Sequence, residues 1–247
     1  MYKYAKYHQR VLVRWKIDMS GVTASYVRGD MLQELYTCEP EMWGIFVYGA
    51  PCILDGFSNL GQAYGVVNGT QGTFHSLVLH DDSPDNLAEL MQQAGPGGIV
   101  TLSKPPAYIA MVPHVDPSYK NSLKKQASLL QGDDDPIVIA IGHPQSHAEF
   151  KPMSLMAALS DIGAKTKKQK KDGTMAKRPT SGLSLKKHAV SPAFAMTDYT
   201  LQGATLDELV ISLSPRTFEP PIDLSSLYVL ASRVRTRAGL RVLKGSH

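Results

Sequence analysis

The basic charge of this sequence is concentrated in one segment. Residues 165–187 hold nine Lys or Arg against the single acid Asp172, a net charge of +8, whereas the rest of the chain, with 17 bases and 21 acids, carries −4. Such a cluster attracts a polyanion more strongly than the same excess spread over a surface. The segment is therefore a candidate for contact with nucleic-acid phosphates, above all through Lys167, Lys168, Lys170 and Lys171.

The same segment has two further interpretations. Residues 163–180 contain almost no apolar side chain larger than Ala or Met, so burial cannot offset the entropy lost on ordering them. We therefore expect a mobile basic loop. It could bind nucleic acid, serve as a nuclear import signal, or be only a solvated charged loop.

Three hydroxyl side chains form a second candidate group. Thr197, Tyr199 and Thr200 directly follow VSPAFAM, residues 190–196, which reads as a buried strand. Open α/β sheets bind ligands at the carboxyl ends of their strands, and hydroxyls there can bind phosphate or sugar oxygens. The alternative is a polar turn that satisfies its own backbone.

The elements that must position these residues change character along the chain. Up to residue 142 the sequence predicts a small β domain, in which YGVVNGTQGTFHSLVL, residues 64–79, forms a hairpin across Asn68-Gly69. The other predicted strands of this part are RVLVRWKI (10–17), IFVYGAPCIL (45–54), AYIAMV (107–112) and PIVIAIG (136–142).

The last part of the chain predicts an α/β arrangement. ELVISL, residues 208–213, and LRVL, residues 240–243, read as strands. Between them Asp223 can cap a helix that Gly239 ends, with apolar positions at helical spacing: Leu224, Leu227, Ala231 and Val234. Together with the strand at 190–196, this pattern suits one end of an open parallel sheet.

Composition excludes several classes of protein. No apolar run of the 247 residues approaches the roughly 18 needed for a membrane span, and the N-terminus has no secretory pattern, so we expect an intracellular protein. Cys38 and Cys52 are too few for a disulfide framework and should be reduced and partly buried. His143, His147 and Glu149 lack further ligands in a β-like segment, so we expect no zinc site.

The 247 residues contain no recognisable nucleotide-binding motif. No G-x-x-x-x-G-K-[ST] occurs, because the sequence contains no Gly-Lys pair, and no acidic metal-binding strand is visible. Asp207-Glu208 is a poor substitute, since it precedes a strand. We therefore expect no ATP hydrolysis by this chain alone.

Two stretches resemble motifs V and VI of Pif/RecD-type superfamily 1 DNA helicases: FAMTDYTLQGATLDELVISL, 194–213, and LYVLASRVRTRAGLRVL, 227–243. GAPCIL and VVNGTQGT, upstream, resemble two further family segments in the same order. Tyr199 and Thr200 depart from the family's His-Lys, so a DNA-contacting charge is missing. The matching positions are Thr197, Gln202, Gly203, Thr205, Leu206, Tyr228, Val229, Ser232 and Arg233.

The resemblance implies a fold and a division of the chain. It implies a RecA-like α/β lobe, the second of a two-lobed motor, interrupted by a small β-barrel of the Src-homology-3 type. Residues 1–63 would begin this lobe, 64–185 would form the inserted β-rich domain with its basic loop, and 186–247 would complete the lobe.

The resemblance also implies roles. Arg233 would be an arginine finger that neutralises charge on the transferring phosphoryl group. Gln202 and Gly203 would lie near the nucleotide, and Thr197, Tyr199 and Thr200 would contact single-stranded DNA. ATP and magnesium would be bound only together with an upstream lobe, present in cis or in trans. The motor would unwind DNA in the 5′ to 3′ direction and act in repair or recombination. In a eukaryote it would act in the nucleus. The alternatives are a catalytically inactive nucleic-acid-binding fragment, such as a degenerate mobile-element helicase, and a structural partner subunit.

Overall fold

The computed structural model describes residues 1–20, 24, 27–55, 65–115, 119, 137–143, 146–150, 183–194, 205–212 and 223–243, with the backbone alone at 146–150 and 212. The chain divides into two compact units, Met1–Phe194 and Ala195–His247, called here the N-terminal and C-terminal units. The three-part division drawn from the sequence stays a prediction.

Within these residues the chain forms four helices, two 3-10 turns and thirteen strands. The helices are α1 (Tyr2–Tyr7), α2 (Asp30–Cys38), α3 (Leu87–Ala94) and α4 (Leu224–Ala231), and the 3-10 turns are Pro40–Met42 and Arg237–Gly239. The strands are β1 (Leu12–Lys16), β2 (Asp18–Ser20), β3 (Trp43–Val47), β4 (Pro51–Leu54), β5 (Gln71–Val78), β6 (Ile99–Leu102), β7 (Tyr108–Pro113), β8 (Ile139–Gly142), β9 (Ser146–Phe150), β10 (Leu183–Lys187), β11 (Val190–Pro192), β12 (Leu209–Ser212) and β13 (Leu240–Leu243).

The described strands of the N-terminal unit form three small sheets. In the first, β1 lies between antiparallel β3 and parallel β6. The second is antiparallel, with the order β11-β4-β5-β7-β8, and the third places β10 between β2 and β9. The mixed α/β class predicted from the sequence is confirmed as several small sheets.

Alternating side chains explain how the first two sheets share a core. Val13 and Trp15 of β1 are buried, whereas Lys16 is exposed. Phe46 of β3 packs on Phe74 of β5 with ring centroids 5.3 Å apart. The predicted strands at 10–17, 45–54, 107–112 and 136–142 are confirmed, since each contains at least one observed strand.

The predicted hairpin across Asn68-Gly69 is wrong. The Thr70 N–H donates to the Val67 carbonyl at 2.9 Å, and Gly69 has φ 90°, so these residues form a type II turn. Hairpins favour the mirror-image turns, whose twist matches that of paired strands. β5, which begins directly after this turn, pairs instead with β4 and β7.

The strand predicted at 190–196 is shorter and differently paired. It spans only Val190–Pro192, and it runs antiparallel to β4 at the edge of the five-stranded sheet. The backbone continues this pairing just beyond the strand, where the Ala193 N–H donates to the Pro51 carbonyl at 2.9 Å.

The C-terminal unit contains the predicted strand, helix and strand. β12 and β13 pair in parallel, and Ile211 of β12 lies in one hydrophobic cluster with Leu230 of α4. The Asp223 carboxylate accepts the Ser226 N–H at 2.6 Å, which confirms the predicted cap. The helix ends at Ala231, however, and Gly239 lies in the later 3-10 turn, so the predicted stop is wrong.

The cysteines and the helices complete the comparison with the sequence. Both cysteines are free, but Cys38 is exposed and only Cys52 is buried, where burial raises the pKa of its thiol to about 12. No helix in the described part of the chain is long and apolar enough to cross a membrane.

Candidate functional site

The two motif-like stretches, 194–213 and 227–243, lie side by side at Leu206 and Val234. Leu206 and Val234 form an isolated parallel bridge. The Leu206 N–H donates to the Arg233 carbonyl at 2.7 Å, and the Arg235 N–H donates to the Leu206 carbonyl at 3.2 Å. The structure therefore joins the residues before β12 to the residues after α4 through backbone hydrogen bonds.

This junction lies at the amino edge of the β12–β13 pair. Because α4 connects two parallel strands, the residues that precede β12 and those that precede β13 meet at one end of the sheet. A Cβ atom at Gly239 would overlap the Asp207 carbonyl, so only glycine allows the 3-10 turn to approach this closely. The sequence assigned that glycine to a helix stop.

The Arg233 guanidinium is half-buried and folded back onto the helix. Its Nε donates to the Val229 carbonyl at 3.1 Å, and its Nη2 donates to the Ser232 hydroxyl at 3.0 Å. That hydroxyl donates in turn to the same Val229 carbonyl at 2.8 Å. In this position Arg233 caps the last turn of α4, where a cation is favoured by the helix dipole.

Positive charge dominates this edge. Arg235 and Arg237 accompany Arg233, and the only described ion pair there joins Arg235 to Asp207 at 3.6 Å. The two side chains are 69% and 86% exposed, so this pair contributes little. The excess of guanidinium groups, which remain protonated and present planar sets of donors, favours an anionic ligand.

Most of the other predicted site residues lie outside the described residues, and their roles stay predictions. This holds for Thr197, Tyr199, Thr200, Gln202, Gly203, Lys167, Lys168, Lys170 and Lys171, and for the basic loop as a whole. Among the described residues of the motif V-like stretch, Leu206 is the one whose backbone hydrogen bonds to Arg233.

The structure describes two bases of the basic segment, Lys186 and Lys187, and Lys187 forms an ion pair within the N-terminal unit. The Lys187 Nζ lies 2.7 Å from the Asp55 Oδ2, which also accepts the Ser191 hydroxyl at 3.0 Å. Burial pushes the pKa of Asp55 upward, but the Lys187 and Ser191 hydrogen bonds and the ammonium charge outweigh burial and hold this pKa below its ordinary value. Lys187 therefore stabilises the N-terminal unit.

One buried titratable group gave no signal in the sequence. His188 is 3% exposed, its Nε2 lies 3.0 Å from the Pro106 carbonyl, and its ring contacts those of Trp15 and His143. Burial, with the neighbouring His143, lowers the pKa of His188 to about 4. Across the described residues, no three His, Cys, Asp or Glu side chains are grouped to hold a metal ion.

Comparison with known proteins gives a similarity of structure only. No family model matches the sequence, and no curated protein matches it. The chain is similar to part of the Pif1 helicase from Bacteroides in complex with ADP-AlF3 and ssDNA, with 16% identity, a TM-score of 0.42, and coverage of 93% of this chain and 34% of that one. For Pif1 helicase from Candida albicans the values are 15%, 0.43, 95% and 40%.

A third structure, Bacteroides Pif1 bound to ssDNA, gives 16% identity and a TM-score of 0.43 over 94% of this chain and 34% of that chain. The chain thus spans about a third of the length of the solved structures that it matches. Pif1 helicases are the kind of protein that the two motif-like stretches resemble.

Proposed function

We propose that this chain supplies the second RecA-like lobe, with its inserted β-barrel, of a Pif/RecD-type ATP-dependent DNA helicase. The observation that carries the proposal is the pair of hydrogen bonds that joins Leu206 to Arg233 and Arg235. In this function the first motif-like stretch contacts single-stranded DNA, and Arg233 acts on the nucleotide. A rigid backbone connection between them is what a motor needs to couple the two events.

The position of Arg233 is compatible with a finger that swings outward. Leaving Val229 and Ser232 would break three hydrogen bonds of the charged guanidinium, each worth at most about 1.5–3 kcal/mol net. An arginine finger typically accelerates phosphoryl transfer by about 10³–10⁵, or roughly 4–7 kcal/mol. The gain in the transition state is therefore of the same order as the cost of the movement.

Nucleotide must come with another lobe, because these residues lack a phosphate-binding loop. ATP and magnesium are then held between this lobe and an upstream lobe. The 247-residue chain alone should show no ATPase activity above background, even with single-stranded DNA, in a phosphate-release assay. Turnover that follows the chain through every purification step contradicts this expectation.

The finger is tested in a fusion of this chain to a competent upstream lobe. Arg233→Ala should lower turnover by about 10³–10⁵ and leave DNA affinity nearly unchanged. Lys3→Ala, which removes the same charge at an exposed position of the N-terminal unit, is the control. If Arg233→Ala lowers only the melting temperature, its role is to cap α4.

DNA contact by the basic loop is tested through salt dependence. A loop that fixes two to four phosphates should contribute about 1.4–2.8 to the slope of log affinity against log salt on single strands. We expect that contribution to be lost when Gln replaces Lys165, Lys167, Lys168, Lys170, Lys171, Lys177 and Arg178. An unchanged slope removes the loop from the DNA site, and loss of nuclear accumulation would then identify an import signal.

The charge asymmetry of the sequence favours one alternative, a nucleic-acid-binding protein without catalysis. The two functions separate in the fusion experiment. Salt-dependent DNA binding together with no turnover in any fusion would support the alternative.

A further inference from the structure

A cavity of about 610 Å³ opens in the N-terminal unit, and none of the sequence-predicted site residues lines it. It lies between the inner faces of β1 and β3, the strand β5, and the helix α3. Its volume falls in the range typical of small-molecule sites. The floor is apolar and is formed by Val13, Phe46, Leu77, Leu87 and Met91.

The mouth of the cavity combines an aromatic ring with a cation. The Arg10 guanidinium lies over the Tyr48 ring, 5.1 Å from its centroid, and the His75 ring lies 6.2 Å from the same ring. Tyr48 is 47% exposed. Among the described residues, Arg10 is the only charged side chain in the lining, and no carboxylate lines it. The cavity is therefore complementary to a planar ligand that carries negative charge.

The backbone at the rim is held in an unfavourable conformation. Gln9 has φ 53°, and no other described non-glycine residue has a positive φ. It follows α1 at the position where helices usually end in glycine, and the Arg10 N–H donates to the Ala5 carbonyl at 2.8 Å, as in a Schellman motif. Glycine would fit better, but it would remove an amide from the cavity lining. This turn also directs Arg10 to the mouth.

We propose that this cavity binds one nucleotide unit, with its base between the apolar floor and Tyr48 and its phosphate at Arg10. Gln9 and Gln92 both line the cavity. The Gln9 amide nitrogen donates to the Lys6 carbonyl at 3.2 Å, so the Gln9 amide oxygen and the Gln92 amide are the groups that can meet the edge of a base. The nucleotide is either a free monophosphate or an unstacked unit of a single strand. Only the second source rests on the proposed DNA-binding function.

The test measures binding of dAMP and of a six-residue deoxyadenosine strand to the full chain by isothermal titration calorimetry. Tyr48→Ala should weaken binding by roughly 5- to 150-fold, the usual range for loss of one base-stacking side chain. Arg10→Gln should weaken it by about tenfold, with Lys3→Gln as a control that loses the same charge on α1, outside the cavity lining.

Filling the cavity gives an independent arm. Met91→Trp should abolish binding, whereas Val78→Trp, at an exposed position of β5 outside the lining, should not. Circular dichroism and melting temperature check the fold of each variant. Because Tyr48 and Arg10 lie at the surface, their variants keep the test valid if Met91→Trp fails to fold.

The outcomes separate this site from the proposed function. Binding of dAMP that is sensitive to Tyr48 and Arg10 supports the site even if the strand does not bind, which would count against DNA binding. Binding of the strand that no cavity variant alters overturns the site and leaves DNA binding intact. Failure of both ligands to bind the wild-type chain overturns the site.

Discussion

The N-terminal unit has the larger described core, whereas the C-terminal unit carries the motif-like residues. The N-terminal unit buries a continuous core that includes Leu12, Phe46 and Phe74. In the described part of the C-terminal unit, only Ile211 and Leu230 are buried hydrophobic residues. Yet this second unit carries the motif-like residues and the arginine-rich edge. The motif-like residues therefore lie in the unit with fewer buried hydrophobic residues among those that the structure describes.

This difference in buried core follows from how many described sheets and helices pack against one another in each unit. In the N-terminal unit the first two sheets pack against each other and against α3, and this packing buries their apolar faces. β12 and β13 form a pair with one described helix, and Val210 and Val242 remain 57% and 50% exposed. A two-stranded sheet is marginal without further packing. In this unit backbone hydrogen bonds, such as those of Leu206, therefore contribute more to holding the described segments together.

The largest effect should separate the units by core packing. Leu12→Ala in the N-terminal unit should reduce the free energy of unfolding by about 2–5 kcal/mol, because Leu12 is 0% exposed and its removal leaves a cavity. Leu230→Ala should cost about 2 kcal/mol or less, since few buried neighbours surround it. Urea unfolding measures both. Equal costs would show that the second core is as well packed as the first.

The next effect concerns pH and belongs to the N-terminal unit. The pKa of His188 is lowered to about 4 from its ordinary 6.5, so the unfolded chain binds the proton more readily. This contribution to stability is fully present above pH 6.5 and is lost as the pH falls toward 4, by a total on the order of 3 kcal/mol. Thermal unfolding between pH 7 and 4 should show the decline.

The control variants assign this decline. His188→Gln should flatten the profile, whereas His114→Gln, at an exposed position of the same unit, should not. Asp55 has a lowered pKa, and it loses its contribution only below its ordinary 3.8, outside this window. A profile that stays steep in His188→Gln would assign the effect to another group.

The smallest effect compares the helix caps of the two units. Asp223 accepts the Ser226 N–H at 2.6 Å, whereas Asn86 accepts the Glu89 N–H at 3.4 Å at the start of α3. Asp223→Ala should therefore cost about 1–2 kcal/mol and Asn86→Ala about 0.5 kcal/mol. Amide hydrogen exchange in α4 and α3 reports each loss. The reverse order would mean that packing, rather than cap geometry, decides how strongly each helix end is held.

Local patterns in the sequence were enough for much of the fold. The alternation in residues 10–17 predicted β1, and the Asp223 cap with its apolar spacing predicted α4 between two strands. Such features depend on interactions within a few residues, which the sequence displays directly. The motif-like residues likewise singled out Arg233, although its role as a finger stays a prediction.

Only the tertiary structure decided which segments meet. Asn68-Gly69 has the composition of a hairpin turn, yet β5 pairs with β4 and β7, because pairing follows burial between distant segments. The burial of His188 and the approach of Arg10 to Tyr48 depend on the same long-range packing. So does the junction of Leu206 with Arg233, which needs Gly239 beside Asp207 because any side chain there would keep the two backbones apart.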